Sequence, residues 1–210
     1  MRRNQAVTAP KTPGPTRHAH TATAQSHEVR IIGGQWKRTK LAVADQPGLR
    51  PTSDRVRETL FNWLGQDLTG WRCIDAFAGT GALGFEAASR GAGEVRLIEQ
   101  DTALVGQLKR IQTLLQASAM QIVRGDGIAA LRQLDAASVD LVFLDPPFDA
   151  NLFEAALQTA SRAVAPKGFV YLEAHRLWSD TELQKLGLAV HRHLKAGVVH
   201  AHLLKLIQLA

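Results

Sequence analysis

From Arg72 to Ala174 the chain alternates short β-rich runs with segments of helical spacing. "RCIDAF" precedes a helix over 82–90, "EVRLIE" one over 102–116, and "MQIVRG" a helical segment through Leu134. "VDLVFLD" precedes a helix over 152–164, and "GFVYLEA" closes the series. Apolar strands separated by helices cannot pair as hairpins. The alternation predicts an α/β fold with a parallel sheet covered on both faces. "LAVHRHLKAGVVHAHLLKLIQ" then predicts a hairpin of two more strands as an antiparallel edge.

Charge divides the chain unevenly. Residues 1–57 hold 11 Lys/Arg against 3 Asp/Glu, and the rest hold 14 against 16, so the positive excess lies in the first quarter. That imbalance points to a polyanionic partner. Residues 1–27 contain no acid and few large apolar groups, and read as a disordered basic arm. No apolar run approaches the roughly 20 residues of a membrane span. No apolar stretch follows the N-terminal arginines as in a secretory signal. The single cysteine, Cys73, sits in an apolar strand and reads as a buried structural thiol. A cytoplasmic monomer fits these features.

Residues 28–65 read as an extension in front of the sheet. "VRIIGGQWKRTKLAV" suggests two strands around Gly33-Gly34 or a slightly later turn, with Lys37, Arg38 and Lys40 on the second. In "LRPTSDRVRETLFNWLG", Thr52, Ser53 or Asp54 can cap a helix. Val56, Leu60, Phe61, Trp63 and Leu64 form its apolar face, Arg55 and Arg57 lie off it, and Gly65 ends it.

Gly79, Gly81 and Gly84 of "DAFAGTGALGF" fit G-x-G-x-x-G between a strand and a helix. That spacing supplies a tight turn, close approach of backbone to a ligand, and close helix–sheet packing. Glu99 ends the next strand, where a carboxylate accepts from both hydroxyls of a ribose. Asp75, at the end of the first strand, separates the candidate ligands. A carboxylate there faces a cationic ligand terminus but repels a pyrophosphate, which favours S-adenosylmethionine over a nicotinamide dinucleotide. Asp126 of "RGDG" follows the third strand, within reach of an adenine amino group. With Asp145, four acids stand at four successive strand ends, the edge at which such sheets bind ligands.

The fourth strand exits into Asp145-Pro146-Pro147-Phe148. Two prolines fix φ and stiffen the exit. The Asp145 side chain and the Pro146 carbonyl then offer two acceptors on one side. They suit the two N–H groups of a primary amine conjugated to a heterocycle, and Phe148 can stack on its ring. Such a site orients the amine lone pair towards an electrophilic methyl group. Guanine N2 in RNA and adenine N6 in DNA both satisfy this description. A non-catalytic RNA-binding assembly protein with a residual cofactor site is a third reading.

"RIIGGQWKRTKL", "RPTSDRVRETLFNWL", "DAFAGTGALGFEAASRGA" and "DPPF" together resemble the bacterial RsmD family over Val29 to Glu173. The first two motifs are specific, and the last two are shared by many amino-methyltransferases. The resemblance implies a Rossmann-like methyltransferase fold with seven strands, a C-terminal antiparallel hairpin and an N-terminal β-hairpin. It implies methylation by S-adenosylmethionine of a guanine N2 in 16S rRNA, at position 966, with the rRNA or a small-subunit assembly particle as partner. It assigns the cofactor to Asp75, Phe77, Ala78, Gly79, Thr80, Gly81, Gly84, Glu99, Asp126 and Gly127, and the target amine to Asp145, Pro146, Pro147 and Phe148. It assigns RNA contact to Arg30, Lys37, Arg38, Lys40, Arg50, Thr52, Arg55 and Arg57. Residues 66–210 would form the catalytic domain, and no metal is expected. The long arm, residues 1–27, departs from the family.

Overall fold

The computed structural model describes residues 28–42, 52–147 and 152–207. The arm over residues 1–27, Arg50 and Phe148 lie outside the described residues. Strands β1 (Glu28–Arg30) and β2 (Lys40–Ala42) form an antiparallel pair, and α1 (Asp54–Leu64) follows. The alternating region supplies β3 (Arg72–Asp75), α2 (Ala82–Ser89), β4 (Glu94–Glu99), α3 (Thr102–Leu114) and β5 (Met120–Arg124). It continues with α4 (Gly127–Arg132), β6 (Val139–Leu144), α5 (Phe153–Ala163) and β7 (Val164–Ala174). A short α6 (Asp180–Gln184) leads to β8 (Leu188–Ala196) and β9 (Val199–Leu206).

The seven strands of the main sheet run β5-β4-β3-β6-β7-β9-β8. β3 to β7 are mutually parallel, and β9 inserts antiparallel between β7 and β8. Successive strand residues alternate between two apolar layers. Cys73, Leu97, Phe143, Tyr171 and Leu203 face one, while Ile74, Ile98, Val142, Leu172 and Leu204 face the other. The first layer is closed by α1, α2, α3 and the N-terminal hairpin, and the second by α4, α5 and α6. β3 has β4 on one side and β6 on the other. The order therefore reverses at β3, and a crevice opens beyond its C-terminal end.

Local chemistry explains the element ends. Ser53 caps α1 through its hydroxyl, which accepts from the Val56 N–H, and Gly65 ends the helix in the left-handed region. α6 was not foreseen from the sequence. It carries a reciprocal capping box between Ser179 and Glu182. Cys73 is buried, as expected, and burial pushes its thiol well above the usual range.

Two expectations for the extension are corrected. Lys37 and Arg38 are not on the second strand. They lie in the loop from Ile31 to Thr39, which is closed by Ile31 N–H to Thr39 O (2.9 Å) and Arg38 N–H to Ile31 O (2.8 Å). The turn falls slightly after the diglycine, as the later placement anticipated, over residues 35–38, and the diglycine itself docks onto α2. Gly34 adopts φ +71°, and a Cβ there would lie 1.8 Å from the Ser89 carbonyl oxygen.

Arg57 is not off the apolar face of α1 but is 1% exposed within it. Its guanidinium donates to the carbonyls of Thr52 (3.1 Å) and Arg30 (2.8 Å), to Asp54 (2.6 Å) and to Glu86 (3.3 Å). Glu86, itself 0% exposed, also accepts from the N–H groups of Ile32 and Gly33 and from Arg90. Each donor satisfies a buried charge that would otherwise be costly. This network fastens the β1–β2 loop and the start of α1 to α2.

Candidate active site

Beyond the C-terminal ends of β3, β4, β6 and β7 lies a cleft of about 960 Å³. The β3–α2 loop, the start of α1, the β6 exit and the tip of the β8–β9 hairpin enclose it. The glycine spacing has the local effect anticipated for it. Gly81 adopts φ +78° and turns the chain into α2. A Cβ on Gly84 would meet the Leu97 side chain of β4 at 2.7 Å, so the glycine permits close helix–sheet packing. Phe77, Ala78, Gly79, Thr80 and Gly127 line the cleft with this loop.

Glu99 reaches back from the end of β4. One of its oxygens accepts from the Gly79 N–H at 2.8 Å and the other from the Asp101 N–H at 2.8 Å. Asp126 is placed differently. It is exposed and caps α4, accepting from the Ala129 N–H (2.7 Å) and from the Gln100 amide (3.0 Å). Its neighbours Gly125 and Gly127 line the cleft instead.

Three further acids converge at the floor. Asp75 is 2% exposed, and its Oδ1 has no hydrogen-bond partner among the described residues. Burial pushes its carboxyl up to about 7, against the pull of the Phe77 and Gly84 N–H groups. Asp145 follows the last residue of β6, and burial together with the charges of Glu173 and Asp75 pushes it well above the usual carboxylate range. Glu173 is 4% exposed and also lines the cleft. Burial raises it too, while hydrogen bonds from Thr52 and Tyr171 and the charge of Arg57 pull the other way. The Tyr171 hydroxyl donates to Glu173 at 2.9 Å. Leu144 of β6 pairs with Leu172 of β7, so the next positions along the two strands are Asp145 and Glu173.

Sequence reasoning missed Glu173. The rule that singled out the other acids, a carboxylate at the C-terminal edge of a parallel strand, applied equally to "YLEA". His175 lies just beyond, exposed, with its ring against Phe153. Of the residues assigned to RNA, Arg30, Lys37, Arg38, Lys40 and Arg55 are exposed, and Lys40 pairs with Glu28 at 2.7 Å. Thr52 faces the cleft, and Arg57 is withdrawn into the core.

A doubly covered parallel sheet, a glycine loop after its first strand and acids at the strand ends make this a Rossmann-like methyltransferase fold. The solved structure of yhhF from Escherichia coli superposes with a TM-score of 0.72 at 37% identity, covering 86% of this chain and 98% of that one. The family described as Conserved hypothetical protein 95 matches residues 29–205. Ribosomal RNA small subunit methyltransferase D of Escherichia coli is 44% identical over 83% of this chain and 88% of its own length. The Haemophilus influenzae protein of the same name is 42% identical over 71% and 80%. The chain belongs to this family, the RsmD family.

The cleft suits the cofactor that the family implies. The buried, unpartnered Asp75 oxygen is an acceptor in want of a cationic donor, and S-adenosylmethionine carries both an ammonium and a sulfonium. The volume of the cleft lies at the upper end of the range for small-molecule sites, leaving room for a second ligand beside the first.

Proposed function

We propose that this chain methylates the exocyclic N2 amine of a guanine in 16S ribosomal RNA, at the position the RsmD resemblance implies. S-adenosylmethionine supplies an electrophilic methyl group on a sulfonium. Asp75 would hold the ammonium end, the Gly79–Gly81 backbone the methionyl portion, Glu99 the ribose hydroxyls, and Gly125 and Gly127 the adenine.

One observation carries the reading. The stiff Asp145-Pro146-Pro147 exit opens into the same cleft as Asp75 and the glycine loop. There the Asp145 carboxyl and the Pro146 carbonyl would accept the two N–H groups of N2 and hold its lone pair in line with the methyl carbon. Phe148 is assigned the stacking contact. Nitrogen–carbon bond formation is matched by carbon–sulfur cleavage, with the bonding pair leaving on sulfur, and the product amine then gives up one proton. Asp145 or its neighbour Glu173 would accept it. Rate enhancement comes mainly from positioning.

Exposed Arg30, Lys37, Arg38, Lys40 and Arg55 would grip phosphates. The names of the relatives support ribosomal RNA over DNA. Purified protein should be offered labelled S-adenosylmethionine with small ribosomal subunits, naked 16S rRNA and duplex DNA, and the product nucleoside identified by mass spectrometry. N2-methylguanosine in the rRNA is the expected product. Label only in DNA, or N6-methyladenosine, would overturn the reading.

A further inference from the structure

The methyl-transfer reading leaves unused the histidines of the β8–β9 hairpin. His193 of β8 lies directly opposite His202 of β9, and His200 pairs across from Lys195, two residues along. In an antiparallel pair these positions share one face. That face belongs to the layer of Leu172 and Leu204, opposite the face on which Glu173 enters the cleft.

His193 Nε2 and His200 Nδ1 are 3.1 Å apart, and the rings of His193 and His202 are centred 4.9 Å apart. One ring nitrogen from each of the three lies within 4.8 Å of those of the other two. His202 is 0% exposed, and its Nδ1 has no hydrogen-bond partner among the described residues. Its Nε2 accepts from the Trp178 N–H at 3.3 Å, a long contact.

We propose that His193, His200 and His202 form a binding site for a divalent transition metal of the zinc class. A tetrahedral ion with metal–nitrogen bonds of about 2.0 Å has ligand nitrogens about 3.3 Å apart. The His193–His200 pair already stands near that separation, and a ring nitrogen of the buried His202 lies within 4.8 Å of both as the third donor. Three imidazoles with no carboxylate or carbonyl among them select zinc, copper or nickel over magnesium or calcium. His193 is exposed, so water can complete the coordination. Turning His202 onto the ion would give up the Trp178 contact and the pull of the Leu172 and His200 backbone carbonyls on its ring.

The consequence is structural. β8 is the edge strand of the sheet, and the hairpin tip supplies Ala196, Val198 and Val199 to the wall of the cleft. A metal on the far face of the sheet would tie β8 to β9 beside that wall without entering the methyl-transfer chemistry.

The test uses the full chain, stripped with chelator and free of any affinity tag. Zinc is titrated by calorimetry, cobalt by visible absorption, and thermal unfolding is followed with and without zinc. One zinc per chain is expected, with cobalt bands of a four-coordinate site and a rise in Tm. His193→Ala and His200→Ala should each weaken binding at least tenfold. His191→Ala and the triple change of His18, His20 and His27 to Ala should bind as the native chain does. The proposal is overturned by the absence of saturable binding, by unchanged affinity in His200→Ala, or by loss of binding on removing the three arm histidines.

Discussion

Arg57 and Glu86 form an ion pair in which neither side chain is more than 1% exposed, with Nη1 3.3 Å from Oε2. The pair joins the two motifs most specific to the family, "RIIGG" and "RPTSDRVRE", through the backbone groups that Glu86 and Arg57 hold. Removing Arg57 leaves Glu86 with Arg90 as its counterion and takes the donor from the Thr52 and Arg30 carbonyls, at about 1–3 kcal/mol for each buried group left unsatisfied. Arg57→Met is therefore expected to lower the urea midpoint sharply while leaving the salt dependence of RNA binding at the native slope. Equilibrium denaturation and filter binding across a salt series check the two halves. A large loss of salt slope in a variant of undiminished stability would return Arg57 to the RNA surface.

Lys37 and Arg38 have the opposite profile. Both are exposed on the loop between β1 and β2, and no ion pair involves them among the described residues. Changing both to Ala is expected to shift stability by no more than about 0.5 kcal/mol. RNA affinity should fall, and the slope of log K against log salt should shrink by roughly 1–2 for two lost phosphate contacts. Binding measured between low and physiological salt decides it, and an unchanged slope assigns the grip elsewhere.

The difference between these two pairs of residues shows where sequence was sufficient. Alternation of strand and helix determines which strand ends share an edge, so Asp75, Glu99 and Asp145 could be placed before any coordinates. Glu173 obeys the same rule one strand further on, near the end of β7. For Arg57 the sequence held a usable signal. Arg57, Leu60, Phe61 and Leu64 stand at i, i+3, i+4 and i+7, which is the buried face of α1. Its charge argued for solvent, and only tertiary structure reveals the compensating Glu86 on α2. The Ile31–Thr39 loop was illegible for a similar reason, since its shape depends on α2, more than 50 residues away in sequence.

Asp145 and Glu173 occupy neighbouring strand ends, and beyond the effect of burial the charge of Glu173 raises the cost of ionising Asp145. Asp145→Ala is expected to slow methyl transfer at least about 10²-fold, comparable to losing one stabilising hydrogen-bonding group at a reacting centre. Donor affinity should stay within about twofold. Glu173→Gln keeps an oxygen for the Tyr171 hydroxyl and removes a negative charge facing Asp145. Tyr171 and Asp75 remain beside it, and Arg57 loses a distant partner. With one repulsion gone, the Asp145 carboxyl falls towards its usual range, and the acid limb of the pH–rate profile should move to lower pH. A purely structural Glu173 would change the height of the profile without moving that limb. An unmoved or upward-shifted limb therefore removes Glu173 from the proton economy of the site.

Asp75 links the cleft to stability through pH. Its carboxyl is raised from 3.8 to about 7 in the folded chain, chiefly by burial. Between those values the folded state holds a proton that the unfolded state has released. This contribution to stability is fully present below about pH 4 and is lost as pH rises through 7. At about 1.4 kcal/mol per pH unit, Asp75 alone accounts for a decline of roughly 4 kcal/mol across that window. Asparagine cannot ionise, so the stability of Asp75→Asn, followed by urea denaturation without ligand, should fall less between pH 5 and 8 than that of the native chain. Binding of a cationic donor reverses the preference, because an ammonium beside Asp75 favours the carboxylate. Donor affinity should therefore increase with pH up to about 7 and level off above it, with proton release visible by calorimetry in buffers of different ionisation enthalpy. In Asp75→Asn both the slope of affinity and the proton release should vanish. If they persist, the proton belongs to another acid of the cleft and Asp75 is not the group that meets the cation.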